Sequence, residues 1–93
     1  MNTARKGSRA EHRCMRILTA AGYLCTRAAA SLGMFDVVAI GATDIRLVQV
    51  KSGTARLSGL EREQITGLVV PGCVSKEYWR YPPGNRAPVI ERL

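Results

Sequence analysis

Phe35-Asp36-Val37-Val38-Ala39-Ile40, the turn-like Gly41-Ala42-Thr43-Asp44 and Ile45-Arg46-Leu47-Val48-Gln49-Val50-Lys51 read together as a β-hairpin. With Ile40 paired to Ile45, each step back along one strand is a step forward along the other, and Asp36 falls opposite Gln49. Side chains alternate along a strand, so Leu47, Gln49 and Lys51 share one face while Val48 and Val50 share the other. An acid, an amide and a lysine then converge at the open end of an otherwise apolar hairpin. A slip of one residue would turn Gln49 away from Asp36, so the convergence depends on this register.

Working outward, Ser8-Arg9-Ala10-Glu11 matches a helix-opening capping box, and Ala10, Cys14, Ile17, Leu18 and Ala21 recur at helical spacing until Gly22. This predicts a first helix over residues 9–21. Arg9, Arg13 and Arg16 form a row away from its apolar stripe, and Glu11 lies at the stripe's other edge, able to lean toward the sheet. Tyr23 to Arg27 reads as a strand that leads through a small-residue loop, 28–33, into the hairpin. After Lys51 comes a polar loop, then a second capping box, Ser58-Gly59-Leu60-Glu61, opening a short helix to Leu68 with Leu60, Ile65 and Leu68 inward. Val69-Val70 and Val74 through Tyr81 look strand-like, Pro82-Pro83-Gly84-Asn85 is a turn, and Val89-Ile90 is a final edge strand. The order α-β-β-β-α-β, with an optional last strand, implies an α/β sandwich: a mixed sheet covered by helices.

Ninety-three residues suffice for a single domain, 1–93, with one modest core. Fourteen Lys and Arg against seven Asp and Glu leave a net charge of +7, and eleven of the fourteen are Arg. Arginine forks suit phosphate, so a polyanionic partner is favoured over a merely basic surface. Three cysteines, at 14, 25 and 73, are widely spaced in apolar surroundings and read as reduced core thiols rather than disulfides or a zinc site. No signal peptide is evident and no run approaches the roughly 18 apolar residues of a membrane span, which gives a cytoplasmic expectation.

Glu11 on the first helix, Ser31 in the loop, Asp36 opening a strand and Gln49-Val50-Lys51 closing the next resemble the PD-(D/E)XK nuclease superfamily. Within it the chain is most similar to archaeal-type Holliday junction resolvases. Their basic opening segment corresponds to Arg5-Lys6-Gly7-Ser8-Arg9-Ala10-Glu11, their Gly-aromatic start of the first strand to Gly22-Tyr23, and their Lys-Ser ending to Lys51-Ser52. Arg27 and Ser31 also match, so the likeness spans residues 5–52 and is only topological beyond. Two positions depart from the pattern: Phe35 replaces the proline before Asp36, and Gln49 replaces the usual Glu, leaving two carboxylates where the family has three.

The resemblance implies a restriction-endonuclease-like fold and a metal-dependent, structure-selective DNA endonuclease, a Holliday junction resolvase acting on four-way junctions as a homodimer. It implies Mg²⁺, with Mn²⁺ as a substitute, held by Glu11, Asp36, Gln49 and the Val50 carbonyl; Lys51 completes the catalytic set, and metal affinity is weakened by Gln49. Arg5, Lys6, Arg9, Arg13 and Arg27 are the candidate phosphate contacts, with Ser31 either binding phosphate or capping its loop. Quieter roles compete at each position: Glu11 as a capping partner, Lys51 as a solvated strand end, Gln49 as a surface amide. Other nucleases of the superfamily, and a nuclease-like module that binds nucleic acid without cutting it, are the alternative functions. Tyr78, Trp79 and Tyr81 read as core or interface more readily than as base-stacking groups, and Trp79, Tyr81 and Val89 as a dimer contact.

Overall fold

The hairpin forms in the anticipated register. A computed structural model of the chain describes residues 3–28 and 34–93, with side chains from residue 9 onward. In it β2 (Val37–Ile40) and β3 (Ile45–Ser52) are antiparallel, Ile40 pairs with Ile45 and Val37 with Val48, and the Gly41 N–H donates to the Asp44 carbonyl at 2.7 Å across the turn. Each step of that ladder follows from the four-residue turn.

Three further strands extend the sheet. β1 (Leu24–Arg27) is antiparallel to β2, β4 (Val74–Tyr81) is parallel to β3, and β5 (Val89–Arg92) is antiparallel to β4, giving the order β1-β2-β3-β4-β5. A parallel neighbour needs a crossover, supplied by α2 (Gly59–Gly67). The expected α/β sandwich with a mixed sheet is therefore the observed architecture. Val69-Val70, expected as strand, is not: Val69 is 93% exposed in the connection that follows α2.

The first helix, α1 (Thr3–Ala20), starts six residues before the predicted boundary, so Ser8 lies inside the helix and not at its N-cap. Ala4, Arg5 and Lys6 are strong helix formers and carry the helix past the local start signal. Its end is as read: Gly22, at φ +99°, allows the Tyr23 N–H to reach back to the Leu18 carbonyl at 3.0 Å. Ala10, Cys14 and Leu18 pack on Val37, Ala39, Val48 and Val50, with Trp79 and Tyr81 completing this face of the sheet. Trp79, 1% exposed, and Tyr81 belong to this chain's own core and offer nothing to a second subunit; of the three residues expected at a dimer contact only Val89 is exposed.

Strand alternation sends Gln49, Lys51, Lys76 and Tyr78 to the opposite face, which α2 covers. The second capping box is present: the Glu61 N–H donates to Ser58 Oγ at 3.0 Å and the Ser58 N–H to Glu61 Oε1 at 2.9 Å. At the other end the Lys76 ammonium donates to the carbonyls of Ile65, Thr66 and Leu68 at 2.8, 3.0 and 2.6 Å, satisfying acceptors that a helix terminus leaves open. Ile65 points inward as expected, but Leu60, 64% exposed, and Leu68 do not. Anchored through polar contacts at both ends, this short helix inserts one apolar side chain instead of three.

Of the cysteines only Cys14 is fully buried, and burial pushes its thiol up to about 12; Cys25 is half-buried and Cys73, expected in the core, is exposed. All three are free. Across the sheet's other end, Tyr23 donates to the Asp44 carboxylate (2.7 Å to Oδ2) and accepts from Arg46 Nε at 3.0 Å. This closure needs a glycine at position 41, where a Cβ would sit 2.7 Å from the Tyr23 ring and 2.8 Å from Asp44 Oδ1. Gly41→Ala is expected to lower the thermal midpoint by the equivalent of about 1–3 kcal/mol, and an unchanged melt would show that the contact relaxes freely.

Candidate active site

Asp36 is the residue that ends the β2 ladder. Its own N–H donates to the Val48 carbonyl at 2.8 Å, and its Oδ2 accepts the Val50 N–H at 2.8 Å. The side chain thus continues the pairing that the backbone stops making, and it is held against β3 opposite Gln49. A residue's N–H and C=O point the same way in a strand, so the Val50 carbonyl faces the Asp36 edge as well. Gln49 is 6% exposed, and its Oε1 is buried without a hydrogen-bond partner in the structure. A buried amide oxygen left unpaired is costly unless another group meets it.

Lys51, half-buried at the end of β3, points toward α2, where its Nζ lies 3.3 Å from Glu61 Oε2. The Ser58 N–H holds the Glu61 carboxyl below its ordinary range; burial opposes this and Lys51 reinforces it. Asp36 shifts the other way. Burial raises its pKa, the Val50 hydrogen bond and Lys51 oppose the rise, and the negative charges of Glu11 and Glu61 add to it. The charges of Glu11 and Glu61 thus reach the half-buried Asp36 carboxylate without forming a cluster with it.

Glu11 approaches from the α1 face. Its Oε1 accepts from Arg27 at 2.8 Å (Nε) and 2.7 Å (Nη2), so the candidate phosphate contact Arg27 and the candidate ligand Glu11 are bound to each other. The structure brings Asp36, the Val50 backbone, Gln49 and Lys51 together at the sheet end, while Glu11 approaches from the α1 face. Arg9 and Arg13 lie on α1 beside the end of β4, and Arg16 is exposed further along the helix. The side chains of Arg5 and Lys6, and all of Ser31, lie outside the described residues.

Sequence reading missed Glu61 as a partner of the site. It saw the capping box, but nothing local shows that the helix start lands beside Lys51, ten positions earlier. Lys76 was missed too, because an isolated lysine in a strand pattern reads as solvated.

Asp36, Gln49 and the Val50 carbonyl offer oxygen donors only, the ligand type of hard cations, and the orphaned Gln49 oxygen suits such an ion. Among the described residues no three His, Cys, Asp or Glu side chains are grouped closely enough to hold a metal.

The family model described as archaeal Holliday junction resolvase (hjc) matches residues 2–72, running past Ser52 through the site and all of α2. A search of curated proteins finds no match. The five-stranded mixed sheet with its two helices is consistent with the restriction-endonuclease-like fold of that PD-(D/E)XK-type family. A match over that span, on a fold of that kind, means that the chain belongs to the archaeal Holliday junction resolvase family.

Proposed function

We propose that this chain is a Mg²⁺-dependent endonuclease that hydrolyses phosphodiester bonds in four-way DNA junctions, acting in the cytoplasm as a homodimer whose two sites serve opposing strands. The observation that carries the reading is the Val50 N–H bond to Asp36, which fixes an acid against Gln49 and beside Lys51 at one end of the sheet. Family membership supports junction DNA as the substrate, and three free thiols accord with a reducing compartment.

Asp36, Gln49 and the Val50 carbonyl would hold the ion, with Glu11 contributing across the sheet end. When bound, Mg²⁺ neutralises charge on the scissile phosphate and makes a bound water easier to deprotonate. Lys51 would orient the attacking water or stabilise negative charge developing on phosphorus. Glu61 limits where the lysine ammonium goes, and its own carboxylate is pinned by the start of α2. Arg27 holds Glu11 in the same manner. The family likeness implies cleavage that leaves 5′-phosphate and 3′-hydroxyl ends.

The test incubates the protein with a labelled four-way junction, a linear duplex and a flap, each in Mg²⁺, Mn²⁺ or EDTA. Paired nicks confined to the junction and lost in EDTA support the reading. Cleavage of all three substrates replaces it with a broader nuclease. Gln49 favours one other reading, a module that binds junctions without cutting, and tight binding with no cleavage in either metal would establish it.

Gln49→Glu restores a third carboxylate and is expected to tighten Mg²⁺ binding about tenfold, through the added ligand charge. Without metal the same substitution adds a like charge beside Asp36 and lowers stability. The thermal midpoint should therefore rise more with added Mg²⁺ in the variant than in the parent, and equal shifts would remove Gln49 from the metal site.

A further inference from the structure

A second feature lies on the α1 face of the same sheet end. Arg9 and Arg13 from α1, Ser52 at the end of β3 and Thr54 after it, the Tyr81 ring and Arg86 from the β4–β5 turn line a cleft of about 580 Å³ with no carboxylate in its lining. The ion pairs of the described residues engage Arg27, Arg46, Arg62, Arg92 and Lys51; none involves Arg9, Arg13 or Arg86. The Arg13 guanidinium lies 6.0 Å from the centroid of the Tyr81 ring, so an aromatic wall already faces one of the cations.

Three arginines converging without an acid repel one another, and an anion in the cleft removes that cost. We propose that this cleft binds the sugar-phosphate backbone of a DNA strand next to the strand cut at Asp36, and that Arg86 closes it. The inference rests on the nuclease reading for the identity of the polymer, and on the cleft alone for the phosphate chemistry. Its volume falls within the about 300–1,000 Å³ of ligand pockets, more than one phosphate fills. Ser52 follows Lys51 directly, so the cleft begins where the catalytic strand ends, and DNA lying across the sheet end meets both faces. The turn that carries Arg86 lies beyond residues 2–72, so this wall of the cleft is outside the part of the chain that matches the family.

Binding is measured without cleavage, by anisotropy of a labelled four-way junction in EDTA, across a range of NaCl concentrations, with Asp36→Asn as the parent. Arg86→Ala in that background is expected to weaken binding about three- to tenfold at low salt and to reduce the slope of log K against log[salt] by about 1, the signature of one lost phosphate contact. Arg86 sits on an exposed turn, so its loss leaves the core alone; Arg62→Ala, which removes a cation already paired to Glu91, should leave the slope unchanged. An unchanged affinity and slope for Arg86→Ala would overturn the proposal, as would an equal loss in Arg62→Ala. Failure of the wild type to cut any DNA, with the Arg86 effect intact, would sink the nuclease reading and leave the cleft assignment standing.

Discussion

Asp36→Asn is expected to lower junction cleavage by about three powers of ten, the equivalent of ~4 kcal/mol of transition-state stabilisation, while junction binding is retained. The choice of Asn follows from the geometry. Asp36 both accepts the Val50 N–H and carries the charge at the centre of the site. An amide oxygen can still take that hydrogen bond, so the end of the β2 ladder is preserved and only the charge is lost. Asp36→Ala removes both and leaves a partly buried N–H without its acceptor, at about 1–3 kcal/mol. That cost is partly offset because the ionised carboxylate is itself disfavoured by burial and by Glu11 and Glu61. The two variants should thus share the loss of cleavage and differ in stability. Single-turnover cleavage beside thermal unfolding separates the effects, and an Asp36→Asn protein that cuts at wild-type rate would end the assignment of Asp36 as the central acid.

Trp79→Ala has the largest expected effect on the fold. The indole is 1% exposed, fills the space between α1 and the sheet, and donates through Nε1 to Glu77 Oε1 at 2.8 Å. Removing it leaves a cavity, at about 3–5 kcal/mol. It also strips a donor from Glu77, a buried carboxylate whose other partners are Ser75 at 3.4 Å and the Arg46 and Arg92 guanidiniums at 3.6 and 3.8 Å. Small domains have little stability to lose, about 5–15 kcal/mol at most sizes, so the variant should be largely unfolded or melt far below the parent. Trp79→Phe keeps most of the volume and loses the N–H, and should fall between them. Far-UV circular dichroism in urea reads the series, since the chain has one Trp and its fluorescence disappears with it. A Trp79→Ala protein that keeps the parental urea midpoint and instead dissociates from dimer to monomer would restore Trp79 to an intersubunit surface and contradict its place in the core.

The parts of the site that were legible beforehand are those written in neighbouring residues. A four-residue turn between two apolar runs sets the hairpin register, and the register puts Asp36 opposite Gln49 without reference to anything else. The capping box of Ser58 and Glu61 likewise needs only four consecutive residues. The same local pattern misled at Ser8, because good helix formers precede it and the helix does not stop where a cap is available. Leu60 and Leu68 misled for another reason: helical spacing says which residues share a side, whereas how closely a short helix approaches the sheet depends on its anchors, here Lys76 and the contacts of Arg62 with Tyr78 and Glu91.

The sequence by itself therefore determined the β2–β3 register, the placing of Gln49 and Lys51 on one face and the position of Asp36 just before β2, all consequences of short-range spacing and alternation. Only the tertiary structure decided which charges meet: Glu11 with Arg27, Lys51 with Glu61, and Arg9, Arg13 and Arg86 around one cleft. Those meetings come from the stacking of α1 on the sheet and from the α2 crossover that sets β4 parallel to β3, long-range packing that no local spacing records.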